Sequence, residues 1–132
     1  MIDDYIRKWI IKADNDFKIA VHELAQPENE MVTDAICFHC QQSVEKLLKA
    51  YLVSKNIDFG KTHNLEYLLE LCKKQDTIFE NINVGNLSFY AVEVRYPDEF
   101  YNPSVEEAKE CFRIASIVRD SMMKELKSMR DA

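Results

Sequence analysis

Apolar residues in this chain return every three or four positions over most of its length, and that spacing admits one kind of secondary structure. Ile2, Ile6, Trp9, Ala13, Phe17, Ala20 and Leu24 follow one another in this way, and so do Val105, Ala108, Cys111, Ala115, Val118, Met122 and Leu126. At the helical period such residues share one face, ready to pack against a neighbour. No segment alternates with the period of two that a half-buried strand requires. The 132 residues include only 2 glycines, too few positive-φ positions for a protein built from tight hairpins. The fold class is all-α.

The boundaries follow from caps and breakers. The first helix carries Asp3 and Asp4 in its first turn, ends near Ala25, and is closed by Pro27. The second runs from about Glu30 to Asn56. Ile36, Cys40, Ser43, Val44, Leu47, Leu48 and Tyr51 share one broad arc, while Gln41, Gln42, Glu45 and Lys49 lie opposite, with Phe38 and Leu52 among them. Gly60 marks a turn. Thr62, His63 and Asn64 precede a short third helix through Leu65, Leu68, Leu69 and Cys72, ending near Lys73 or Lys74. Residues 75–86 show no period and receive no element. Leu87, Tyr90, Ala91 and Val94 predict a short fourth helix stopped by Pro97. After the break at Asn102-Pro103, Ser104 and Glu107 form a capping box that opens the final helix. Acids precede bases by four at Asp4–Lys8, Asp14–Lys18, Glu45–Lys49 and Glu70–Lys74. The expectation is a single domain over residues 1–132, an up-and-down bundle of about five helices, three long and one or two short.

Several chemistries lack their residues. There is no phosphate-binding glycine loop and no H-E-x-x-H or G-x-S-x-G motif. None of His22, His39 and His63 has a glutamate three positions earlier, so the di-iron pattern of helical bundles is absent. Cys37 and Cys40 are one pair without a second, so no zinc site is expected, and the four cysteines read as small buried hydrophobes. A Cys–His nucleophilic pair has only residue presence behind it. No cofactor is expected. A net charge of −6 argues against gripping nucleic acid by bulk electrostatics. No apolar run is long enough to cross a membrane, and Met1–Tyr5 lacks the basic start of a signal peptide, so the expected location is the cytoplasm.

Four features occur together in order: a first helix with Trp9, Ala13 and Asp14-Asn15-Asp16; the run Gln41-Gln42-Ser43-Val44-Glu45-Lys46-Leu47-Leu48-Lys49-Ala50; the turn Thr62-His63-Asn64-Leu65; and Arg95-Tyr96-Pro97-Asp98. Together they resemble the HEPN domain family (higher eukaryotes and prokaryotes nucleotide-binding), over essentially the whole chain. The resemblance implies a helical homodimer. It also implies one of three roles: a ribonuclease toxin, a partner of a minimal nucleotidyltransferase in a toxin–antitoxin pair, or a non-catalytic module binding nucleotide, RNA or protein. Ribonuclease members carry an arginine and, a short interval further on, a histidine. Arg95 matches the arginine, but no histidine follows His63, and Tyr101 stands where one would be needed. A phenol, with an ordinary pKa near 10, is a poor general base at neutral pH.

The candidate site therefore comprises Arg95, Tyr96, Asp98, Tyr101, Gln42, Glu45, Lys49 and His63. Arg95 reads either as a phosphate-binding fork or as a cation neutralising a helix end. Gln42, Glu45 and Lys49 read either as a solvated face with an ordinary ion pair or, because Phe38 and Leu52 share that arc, as a covered face. His63 reads as a brace of the turn. Tyr90, Tyr96, Phe100 and Tyr101 read as an interface beside Arg95, with the two Arg95 side chains of a dimer facing a shared groove. The sequence thus favours a non-catalytic homodimer acting on nucleotide or RNA, or with a nucleotidyltransferase. A metal-independent ribonuclease using Arg95 and a purely structural interaction module are the alternatives.

Overall fold

A computed structural model describes residues 3–91 and 100–131, with side chains as far as 126. The described residues form four α-helices joined by three short 3-10 turns, with no strand among them. Helix α1 spans Asp4–Leu24, α2 Thr33–Ser54, α3 Leu65–Lys73 and α4 Val105–Asp131.

Side-chain caps set three of the four N-terminal ends. Asp3 lies just outside α1 and accepts a 2.9 Å hydrogen bond from the Ile6 amide. Asn64 does the same for α3, accepting from the Tyr67 amide at 3.0 Å. The capping box of α4 is present in both directions: the Ser104 hydroxyl accepts from the Glu107 amide at 3.0 Å, and the Glu107 carboxylate accepts from the Ser104 amide at 3.4 Å.

Helix α2 starts three residues later than the sequence predicts. Glu28–Glu30 forms a 3-10 turn instead, and the Val32 amide donates to the Glu23 carboxylate at 2.9 Å, tying the connection back to α1. Its C-terminal end is closed by Asn56 at φ 58°. Amide bonds from Ile57 to the Leu52 carbonyl and from Asn56 to the Val53 carbonyl, both 3.0 Å, complete a Schellman motif.

The aperiodic stretch 75–86 is held by side chains that bond the backbone two residues on. Asp76 accepts from the Ile78 amide at 3.0 Å, and Asn83 accepts from the Gly85 amide at 2.8 Å. Gly85 sits at φ 53°, where a side chain would be strained, and a Cβ there would come within 3.3 Å of the Ile114 side chain. Between these bends Phe79, Ile82 and Val84 point into the core.

The predicted short fourth helix is described only as far as Ala91. Leu87–Tyr90 is a 3-10 turn with amide bonds reaching back three residues. Its Ser88 hydroxyl donates to Glu66 at 2.8 Å and accepts from the Leu65 amide at 2.9 Å, which ties this turn to the start of α3. Val94 lies outside the described residues.

Cross-helix pairs give the topology. Trp9 meets Lys49, Asp16 meets Lys46, and Glu23 meets Val32, so α1 and α2 run antiparallel. Phe17 stacks on Phe112 at 5.1 Å, and Asp14 pairs with Arg119 at 3.3 Å, so α4 runs against α1 and with α2. Asp14 thus reaches across to α4 rather than to Lys18, and Glu70 pairs with Lys73. Helix α2 is the common partner of α1, α3 and α4. Fourteen of its 22 residues are buried, which is the signature of a helix packed on all sides.

Candidate functional site

All-round burial of α2 decides between the two readings of its polar arc. Gln41 is 0% exposed, Glu45 4% and Lys49 7%, so the solvated-face reading is overturned. Leu52, which shares that arc, is 0% exposed and packs within the chain, while Phe38 is half-buried with its ring edge-on to His39.

Buried charge is tolerated only where each polar atom has a partner, and Glu45 provides them. Its Oε2 accepts from the Lys49 ammonium at 3.1 Å, one helical turn on. Its Oε1 receives the Gln41 amide at 3.1 Å and His63 Nδ1 at 2.8 Å. Gln41 in turn accepts from the Gln42 amide at 2.6 Å. The Lys49 ammonium lies 5.4 Å from the centre of the Phe59 ring and 6.0 Å from that of Trp9. The structure therefore brings Gln42, Glu45, Lys49 and His63 together, with Gln41 as the connecting residue. Gln41 stands one turn before Glu45, and that spacing was the available signal for it.

The carboxylate can only accept, so His63 Nδ1 carries the shared proton. The ring is thereby held in one orientation while its side chain stays 68% exposed. His63 braces the turn before α3 as expected, and it is also a histidine oriented by a buried acid.

A second charged cluster escaped the sequence reading. Asp16 on α1 is buried and divides its oxygens between His39 Nδ1 at 2.8 Å and the Lys46 ammonium at 2.6 Å. Asp16 falls on the same helical line as the fully buried Ala13 and Ala20, which is the signal that marks it.

Tyr101 belongs to a third group, away from Glu45. Its hydroxyl donates to Glu107 Oε1 at 2.5 Å, and the Tyr90 hydroxyl donates to Oε2 at 2.6 Å. Bonding to the carboxylate holds the Tyr101 phenol above its ordinary value, and burial followed by the same carboxylate raises Tyr90. The two phenols lower Glu107 in return, Tyr101 first. These residues line a groove of about 450 Å³ with Glu66, Ser88 and Phe89. Phe89 packs edge-on against both tyrosine rings. Arg95, Tyr96 and Asp98 lie outside the described residues.

The Glu107 carboxylate is more acidic in the folded chain than its ordinary value of 4.5. Its contribution is therefore present above that value and is lost as pH falls through the lowered folded value. Glu107→Gln is expected to be less stable than the parent at neutral pH, with the gap narrowing below pH 4.5. Urea denaturation across that range measures it, and a constant gap would refute the assignment.

All four cysteines are buried free thiols. Burial pushes Cys40 up and raises Cys72 to about 12, while a hydrogen bond with Cys111 and then burial raise Cys37. A protonated, enclosed thiol is inert, so this geometry does not support a Cys–His nucleophile.

A family model described as HEPN domain matches residues 6–126. The chain belongs to the HEPN domain family. The match takes in α1, α2, α3 and most of α4, so the HEPN assignment extends over nearly the whole chain. No curated protein and no solved structure gives a significant match. HEPN membership suggests a nucleotide- or RNA-related or nuclease-like role, and HEPN domains commonly dimerise. No helix among the described residues is long and apolar enough to cross a membrane.

Proposed function

We propose that this HEPN domain is a non-catalytic homodimer that binds a nucleotide or RNA, with Arg95 as a phosphate contact. The Tyr101–Glu107 hydrogen bond carries the reading. Where ribonuclease members place a histidine, this chain has a phenol whose proton is committed to a carboxylate and whose acidity is suppressed. A general base must release and regain a proton near neutral pH, and this phenol is tuned the other way. Phe100, 79% exposed, and the neighbouring Tyr101 supply apolar surface suited to a twofold contact. A small nucleotidyltransferase is the protein partner that this reading expects.

The His63–Glu45 pair favours one second reading. A histidine held by a buried acid is the arrangement that general bases use, so His63 could replace the missing histidine of a ribonuclease. One set of assays separates the two. The purified protein should sediment as a dimer at micromolar concentration, leave several RNAs intact at high protein concentration, and bind nucleotide more weakly after Arg95→Ala. Cleavage that disappears in both Arg95→Ala and His63→Ala would establish the ribonuclease instead. A wild-type monomer that binds no nucleotide would overturn both readings.

A further inference from the structure

One face of α1 carries a second surface that the reading above does not use. Tyr5, Lys8, Trp9 and Lys12 succeed one another at helical spacing, and Lys46 of α2 joins them to line a groove of about 650 Å³. That volume falls in the range of small-molecule sites. Tyr5 and Trp9 stack with ring centroids 6.2 Å apart and planes inclined by 26°, placing two near-parallel aromatic rings at the groove. Tyr5 is 53% exposed, and Trp9 is half-buried.

The charge around this groove opposes that of the whole chain. Three ammonium groups line the groove against one carboxylate, Asp4, in a protein of net charge −6. Asp4 holds Lys8 at 3.4 Å, but both side chains are about three-quarters exposed, so a competing anion displaces that pair at little cost. Lys12 is exposed and has no acidic partner among the described residues. Lys46 is held in place by the buried Asp16 at 2.6 Å, which fixes one cation at the groove edge.

A near-parallel aromatic pair flanked by lysines matches a base carrying phosphate: the base stacks with the rings and the phosphate meets the ammonium groups. We infer that this α1 groove binds a nucleobase with its attached phosphate, as a free nucleotide or as part of single-stranded RNA. The inference rests on the nucleotide or RNA reading above and assigns the base to Tyr5 and Trp9.

Trp9 is the only tryptophan in the chain, so its emission reports on the groove directly. Wild-type protein is titrated separately with ADP, with short polyadenylate and with inorganic tripolyphosphate, and binding of labelled polyadenylate is followed in parallel by anisotropy. Saturable quenching by ADP or polyadenylate is expected, and it should weaken at least about tenfold in Lys8→Glu/Lys12→Glu. Both substitutions are at exposed positions, and circular dichroism checks that the variant stays folded. Quenching by polyadenylate alone assigns the groove to RNA, and quenching by both assigns it to nucleotide generally. Tripolyphosphate should compete without quenching. Labelled RNA that binds with no change in Trp9 emission and no effect of the lysine reversals, while Arg95→Ala weakens it, overturns this site and leaves the functional reading standing. No binding of any probe by the wild type removes both. A dimer that dissociates on Tyr5→Asp, with no quenching, would show that the face serves self-association instead.

Discussion

Glu45→Ala is expected to lower the free energy of unfolding by about 3 kcal/mol or more, because it leaves an uncompensated charge in the interior. The Lys49 ammonium would remain beneath Trp9 and Phe59 without a counter-charge. The Gln41 amide and His63 Nδ1 would lose their shared acceptor as well. Desolvating the two charges offsets much of their attraction, so removing both together should be far less harmful. Glu45→Met combined with Lys49→Met keeps the volume and should be more stable than Glu45→Ala alone. Urea denaturation of the three proteins gives the comparison. A double variant destabilised as much as Glu45→Ala, or more, would show that the unpaired charge is not the cause of the loss.

Phe79→Ala is expected to cost about 4 kcal/mol, the middle of the range for truncating a buried aromatic ring. Phe79 comes from a 3-10 turn of three residues, yet it is fully buried and meets Tyr51 edge-on at 4.8 Å. It thereby docks a loop onto the central helix. Phe112→Ala serves as the control, since that ring is only half-buried against Phe17 and should cost less. Thermal and urea unfolding measure both. A loss at Phe79 below about 1 kcal/mol would mean that the neighbouring side chains refill the space.

The helices were legible because their signals are local. Asn64 and the Ser104–Glu107 box mark their termini within the sequence itself, and the apolar spacing names the buried faces of α1 and α4 correctly. The polar arc of α2 was not legible in the same way. Periodicity separates polar from apolar positions, but it cannot tell a wet charge from one enclosed by Trp9 and Phe59, which arrive from far along the chain. Asp16 was missed for the related reason that its partners, His39 and Lys46, lie on another helix. Residues 75–86 show no period because Asp76 and Asn83 bond the backbone directly, and such bends leave only isolated anchors such as Phe79. Of the candidate residues, Gln42, Glu45, Lys49 and His63 share one hydrogen-bonded cluster with Gln41. Tyr101 proved to belong to Glu107, a residue that the sequence had marked only as a cap.

The placement of α2 between all the other helices orders the assembly of the fold in time. Helices α1 and α2 are joined by a short connection, so their pairing closes a small loop at low entropic cost. The contact that seats the start of α4 spans much more chain, since the Thr33 hydroxyl donates to the Pro103 carbonyl 70 residues away at 2.7 Å. Contacts of such separation come late in folding. The α1–α2 hairpin therefore presents a bare, largely apolar flank until α4 arrives to cover it. During that interval Thr33, Cys37 and Cys40 stand among the residues that α4 does not yet shield, and a ribosome-bound chain lingering at this stage would be vulnerable to association with its neighbours.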